Sequence, residues 1–135
     1  MQLENFISWY NHLSPTNLDD IEKFYTEDCY FKDPFHELHT RHDLIKLYQK
    51  MFKILPDSKF VITKTFKNTE NEMVLFWDYH FTMLNKKHII SGNTFFELKN
   101  GKISKHIDYW DSVNELWSKI PVIKYFFLIL NRFMK

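Results

Sequence analysis

The chain has 135 residues, 44% of them hydrophobic and 26% charged, which suits one compact domain with a single core and excludes a disordered chain. Its 18 basic and 17 acidic residues leave a formal net charge of +1, and no stretch gathers Lys and Arg along a groove, which excludes nucleic-acid binding through phosphates. The lone Cys29 excludes an internal disulfide and fits a reducing compartment.

No internal repeat, Gly/Ser linker or low-complexity segment divides the chain, so residues 1–135 are read as one domain with 112–135 as its tail. Leu3, Phe6, Ile7, Tyr10 and Leu13 recur at helical spacing and predict a first helix over 3–13. Ser14-Pro15-Thr16-Asn17 breaks it, and Asn17 is expected to cap a second helix carrying Leu18, Ile21 and Phe24. Cys29 to Lys32 reads as a short strand that stops at Asp33-Pro34. A third helix is predicted from about His42 to Leu55, with Leu44, Ile45, Leu47, Tyr48, Met51 and Phe52 on its apolar side.

After Pro56-Asp57 the period changes to two, and Phe60–Lys67, Glu72–Leu84, His88–Lys99 and Lys102–Trp110 read as four strands. Asn100-Gly101 is a hairpin signal, because both residues tolerate the positive φ values of a tight turn. Helices followed by a run of antiparallel strands make an α+β plan. The tail, Ser112 to Lys135, is more apolar than a solvent-facing helix and too interrupted by Pro121 and Lys124 to span a membrane. It is expected to close the core or a homodimer interface, with peripheral membrane contact through Lys124, Arg132 and Lys135 as the alternative. The start, MQLENF, lacks the basic and apolar runs of a secretory signal, so a cytoplasmic protein is expected.

Aromatic residues are the compositional outlier: 14 Phe, 7 Tyr and 4 Trp make 19% of the chain. They imply a core packed with rings, a cavity walled by rings, or both. Trp77, Tyr79 and Phe81 alternate along one strand face and read as apolar wall or core, while Phe76, Asp78 and His80 take the other. On the last strand, alternation sets His106, Asp108 and Trp110 on one face. Two residues along a strand is too wide for a simple local hydrogen bond, so His106 and Asp108 read as an acid/base pair or as anchors for a polar substrate. The cluster from His36 to His42 contains H-E-x-H, one residue short of the zinc-binding helical spacing, so no metal is assigned. No G-x-S-x-G elbow, phosphate-cradling Gly loop or Cys-x-x-Cys is present.

The run YTEDCYFKDPF from Tyr25 to Phe35, after two helices and before a third, resembles the ketosteroid isomerase-like and SnoaL-like branch of the nuclear transport factor 2-like superfamily. The likeness continues through Gly101-Lys102-Ile103 to His106-x-Asp108-Tyr109-Trp110-Asp111, nearly the whole domain except the tail. It implies an α+β fold with a cone-shaped, curved antiparallel sheet wrapped by N-terminal helices around one pocket. It also implies frequent homodimers and chemistry without a cofactor, such as isomerisation, cyclisation, dehydration or epoxide opening. The general base of the isomerases falls on Asp33, whose carboxylate at the mouth of an aromatic cavity would lose hydration. Of the two oxyanion donors, one falls on Asn93, counted back from Gly101, and the other on Trp9, or on Tyr10 if the Ser14–Asn17 turn carries an extra residue. His36, close to Asp33 in sequence, and Tyr25, within the motif, complete the expected pocket with Trp77, Tyr79 and Trp110. The expected partner is a small apolar molecule. A non-catalytic lipid or metabolite binder and a dimeric interaction protein are the alternatives.

Overall fold

The computed structural model describes residues 1–68, 70–115, 128, 129 and 132. The apolar spacing at the start of the chain folds into helix α1 (Leu3–Asn11), which turns Phe6, Trp9 and Tyr10 inward. The next turn is a 3-10 helix, Leu18–Lys23, and it is not capped by the Asn17 side chain. Asn17 folds back on the preceding loop instead: its Oδ1 accepts from the Ser14 N–H at 2.8 Å and its Nδ2 donates to the His12 carbonyl at 2.9 Å. Strand β1 (Tyr25–Lys32) begins four residues earlier than its apolar pattern suggests, and a two-residue strand β2 (Glu37–Leu38) returns against its end. Helix α2 (Arg41–Ile54) is capped by Thr40, whose side chain accepts from the Asp43 N–H. Arg41 ties it to the sheet by donating from Nη1 to the Tyr25 carbonyl at 3.0 Å.

Strands β3 (Lys59–Lys67), β4 (Glu72–Met83), β5 (Lys86–Lys99) and β6 (Lys102–Tyr109) follow as hairpins, near their expected bounds. The β5–β6 turn places Asn100 at φ 53° and Gly101 at φ 78°, as the Asn-Gly signal requires. The six strands form one curved, unclosed sheet in the order β2-β1-β6-β5-β4-β3. It is mixed rather than purely antiparallel, because β1 lies parallel to β6. Only the hairpin-linked strands are bound to alternate in direction; β1 reaches β6 from another part of the chain.

Register shifts mark three irregularities: within β1, at Ser104 on β6 and at Thr63 on β3. Such extra residues bend a strand and re-aim the side chains beyond it. The core fills the inner face, where Phe6, Tyr10, Ile21, Tyr25, Phe96 and Ile103 are almost wholly buried. A short helix α3 (Ser112–Glu115) follows β6. The tail expected to close the core, the dimer or a membrane contact lies otherwise outside the described residues, except for 128, 129 and 132. Among the described residues no helix is long and apolar enough to cross a membrane.

Candidate functional site

A cavity of about 450 Å³ lies between α2 and the inner face of the sheet. Phe60, Trp77, Tyr79 and Phe81 wall it on the sheet side, and Leu47, Met51 and Ile54 on the helix side. Trp77, Tyr79 and Phe81 thus occupy the inward parity of β4, whereas Phe76 is exposed on the outer face. Trp110 and Phe35 meet edge to face at the cavity, with ring centroids 5.7 Å apart.

Polar groups converge at one end. Extending the alternation from Ile103 would send Lys105 and Ile107 inward, but the extra residue Ser104 reverses the parity, so His106 and Asp108 face the interior. His106 is wholly buried, and its Nε2 lies 2.7 Å from Asp108 Oδ1. This corrects the expectation that two residues along a strand are too far apart for a local hydrogen bond: side chains of the same parity on a bent strand reach each other. The opposite ring nitrogen, Nδ1, lies 2.7 Å from the Tyr25 hydroxyl. Burial drives the Tyr25 phenol well above its ordinary pKa, so it stays protonated and donates to Nδ1. Nε2 then carries the imidazole hydrogen and donates to Asp108.

Asp108 Oδ1 also accepts from the Thr94 hydroxyl at 2.5 Å, and Thr94 in turn accepts from Trp77 Nε1 at 2.8 Å. The carboxylate borders the cavity with 11% of its side chain exposed, and its second oxygen has no hydrogen-bond partner among the described residues. A wider depression of about 670 Å³ on the outer side of β1 and β6 shares Asp33, Asp108 and Trp110 with the cavity.

Asp33 also borders the cavity, yet its carboxylate is engaged. Oδ1 accepts from the backbone N–H groups of Phe35 at 2.8 Å and His36 at 2.6 Å, and His36 Nδ1 lies 3.0 Å from it. The local cause is the Asp-Pro turn, which bends the backbone donors toward the preceding carboxylate. The Asp33 carboxylate, at the position the resemblance gives to the isomerase base, is thus held by its own turn and by His36. His36 sits at the rim with 41% of its side chain exposed.

The expected oxyanion donors are placed differently. Asn93 lies on the outer face of β5, paired with the exposed Phe76 and Tyr109, and the inward neighbour is the fully buried Thr94. A one-residue offset in counting from the hairpin moves a side chain to the opposite face. Trp9 packs against Phe24 away from the cavity and donates from Nε1 to the Asn17 carbonyl at 3.0 Å. Tyr10 is buried behind the cavity wall with its hydroxyl 3.2 Å from that of Tyr48, which does line the cavity. Burial is the largest cause raising both phenols above their ordinary pKa.

Tyr48 and Thr94 are polar residues of the site that the sequence pattern does not mark. By spacing Tyr48 falls in the apolar stripe of α2, although a phenol there must find a polar partner. Thr94 has the parity of Phe96, already a clue to its direction. Among the described residues no group of His, Cys, Asp and Glu is placed to hold a metal ion.

The family model for the SnoaL-like domain matches residues 6–106. No curated protein matches the chain. Among solved structures, one similar protein is from Catenulispora acidiphila, has a ketosteroid isomerase-like fold and was crystallised with trimethylamine. It is 12% identical with a TM-score of 0.73, over 87% of this chain and 92% of that one. A candidate SnoaL-like polyketide cyclase from Jannaschia is 11% identical with a TM-score of 0.71, over 83% and 86%. A nuclear transport factor 2-like protein of unknown function from Cytophaga hutchinsonii is 22% identical with a TM-score of 0.62, over 81% and 86%. At these identities the likeness shows the fold alone.

Proposed function

The chain belongs to the SnoaL-like domain family, and from that premise we propose that it is a cofactor-independent enzyme moving a proton on a small, mostly apolar carbonyl compound. The observation that carries this reading is the Asp108 carboxylate at the polar end of the cavity, with Oδ1 held by His106 and Thr94 and Oδ2 left for a substrate. Asp108, rather than Asp33, is assigned as the base.

In this reading Oδ2 removes a proton from the carbon beside the carbonyl, and the electron pair moves toward the carbonyl oxygen. The Tyr48 hydroxyl, backed by Tyr10, donates to that oxygen as charge builds on it. His106 holds the carboxylate in place and relays hydrogen bonding to Tyr25. The resulting enolate can be reprotonated elsewhere, as in an isomerase, or attack a second carbonyl, as in a cyclase. Asp33 acts by shaping the rim and holding His36.

Solvent exchange tests the reading. Benzylacetone in deuterated buffer should lose its α-proton signals faster with the protein than without. Asp108→Asn should cut the rate on the order of a hundredfold or more, the size of one general base. Equal rates for the variant and the parent would remove Asp108 from the chemistry.

A non-catalytic binding pocket is the second reading, favoured by the way His106, Thr94, Trp77 and Tyr25 satisfy one another. It requires ligand binding without exchange. A homodimer accompanies either reading, supported by Phe66, Phe76, Ile89 and Tyr109 exposed on the outer sheet face. Sedimentation of the parent and of Tyr109→Glu tests it, and monomeric parent protein rejects it. Peripheral membrane contact through the tail is tested by flotation with anionic vesicles.

A further inference from the structure

The cavity is bordered by two carboxylate–imidazole pairs. The Asp108–His106 pair is buried, with side-chain exposures of 11% and 0%; the Asp33–His36 pair sits at the rim, with 15% and 41%. They lie beside each other. In the parallel β1–β6 ladder Phe31 pairs with His106 and Lys32 with Ile107, so Asp33 and Asp108 are the next residues on neighbouring strands. Asp33, His36 and Asp108 all line the one cavity, so both pairs face the same bound molecule.

The roles within the two pairs are reversed. At the buried pair the carboxylate faces the cavity and the imidazole stands behind it. At the rim the Asp33 carboxylate is filled by two backbone donors and by His36 Nδ1, at 3.0 Å from Oδ1 and 3.1 Å from Oδ2. His36 Nε2 has no hydrogen-bond partner among the described residues, and its side chain lines the cavity. A ring nitrogen oriented through the opposite nitrogen by a carboxylate is the usual construction of an acid/base histidine.

We propose that His36 is a second catalytic residue, an acid that protonates a departing hydroxyl while Asp108 acts as base, so that the substrate is a β-hydroxy carbonyl compound and the reaction is loss of water. This rests on the reading of Asp108 above. Asp108 takes the proton from the carbon next to the carbonyl, and the C–H electron pair becomes the new carbon–carbon double bond. The bond from the β carbon to the hydroxyl breaks with its pair on oxygen. That oxygen takes the Nε2 proton of the His36 imidazolium, held against Asp33, and leaves as water. Asp108 ends protonated and His36 neutral; water returns both to their starting forms, and no oxidant or reductant takes part.

The test uses two probes with one skeleton: benzylacetone, which can only exchange its α-protons, and its β-hydroxy derivative, which can also lose water to benzalacetone. The parent protein should accelerate both reactions. His36→Asn keeps an amide donor near Asp33 but removes the titrating nitrogen. It should lower the ratio of elimination to exchange on the order of a hundredfold, and imidazole added to the buffer should restore part of that loss. An unchanged ratio, a loss that imidazole cannot restore, or exchange without elimination by the parent overturns the role of His36 and leaves Asp108 standing. Absence of both reactions in the parent, or exchange unaffected by Asp108→Asn, overturns the underlying reading instead.

Discussion

Asp33, just past the end of β1, and Asp108, on β6, each follow the last paired position of the parallel ladder by one residue, yet their carboxylates are spent differently. Asp33 gives its oxygens to its own turn and to His36, whereas Asp108 keeps Oδ2 for the cavity. Asp33→Asn should therefore act on the rim more than on the chemistry. Losing charge-assisted bonds to two backbone donors should cost about 1–3 kcal/mol of stability, read as a shift in the urea midpoint. Proton exchange on benzylacetone should fall less than in Asp108→Asn. A larger exchange defect at Asp33 would exchange the two roles.

Tyr25→Phe isolates the far end of the relay. The ring stays in place, but His106 Nδ1 loses its 2.7 Å partner inside the core. An unsatisfied buried acceptor costs about 1–3 kcal/mol, and the imidazole is freed to take the other tautomer. Nitrogen NMR should show hydrogen on Nε2 in the parent and a mixture in the variant, with slower exchange on benzylacetone. An unmixed tautomer and an unchanged exchange rate would reduce Tyr25 to a packing residue.

The fold was legible because its signals are local. Apolar spacing located α1 and α2, period-two alternation located β3 to β6, and Asn100-Gly101 located a turn. Parity is legible only in part: alternation sets His106 and Asp108 on one face as a pair, but not as direct partners. His106 and Asp108 face inward only because Ser104 adds a residue to β6, and nothing in the string Lys102 to Tyr109 marks that bulge. The same uncertainty of one residue chose Asn93 over Thr94. The second hydroxyl of the Tyr10–Tyr48 pair was invisible for another reason: it depends on how α1 and α2 pack across the core, a contact 38 residues apart in sequence. Short strands such as β2 carry too few residues for any period to show.

Alkaline pH should unfold this protein cooperatively. Burial favours the neutral phenol, so Tyr10, Tyr25 and Tyr48 are raised in the folded state and Tyr79 is pushed up to about 12. Below about pH 10 a phenol stays protonated in both states, and its contribution is constant. Above that the unfolded chain ionises first, and each such group removes about 1.4 kcal/mol per pH unit until the pH passes the folded value. Burial also pushes Cys29 up to about 11, so its share is lost from near pH 9 upward. The urea midpoint should fall with rising pH, and the phenolate absorbance of the buried tyrosines should appear together with the loss of helix signal. Phenolate appearing well before unfolding would contradict the burial.

The β4–β5 turn carries a local cost that a substitution can relieve. Leu84 sits at φ 53° and Asn85 at φ 61°, and Leu84 is 88% exposed. A left-handed conformation strains a leucine by roughly 1–2 kcal/mol, whereas asparagine tolerates it. Leu84→Asn should raise stability by about 0.5–1 kcal/mol, since part of the strain is shared with the turn. Thermal unfolding measures it, and exchange on benzylacetone should be unchanged because the turn is remote from Asp108. A lowered melting temperature would mean that Leu84 makes a contact its exposure conceals.

Gly92 decides where the Trp77 indole can lie. A Cβ at this position would come within 2.6 Å of Trp77 Cη2 and 2.8 Å of the Tyr109 carbonyl oxygen, closer than real contacts allow. The indole that crosses this backbone forms part of the cavity wall, and its Nε1 donates to Thr94, which in turn holds Asp108. Gly92→Ala should therefore reach the acid/base group through two hydrogen bonds. Overpacking of this kind costs about 1–3 kcal/mol. Displacing the buried indole should also red-shift or quench its fluorescence and slow exchange on benzylacetone. A Trp77→Phe variant separates the effects: it relieves the crowding, so adding Gly92→Ala to it should restore most of the stability but not the exchange, because the donor to Thr94 is gone. Full recovery of exchange in that double variant would show that Thr94 holds Asp108 without help from the indole.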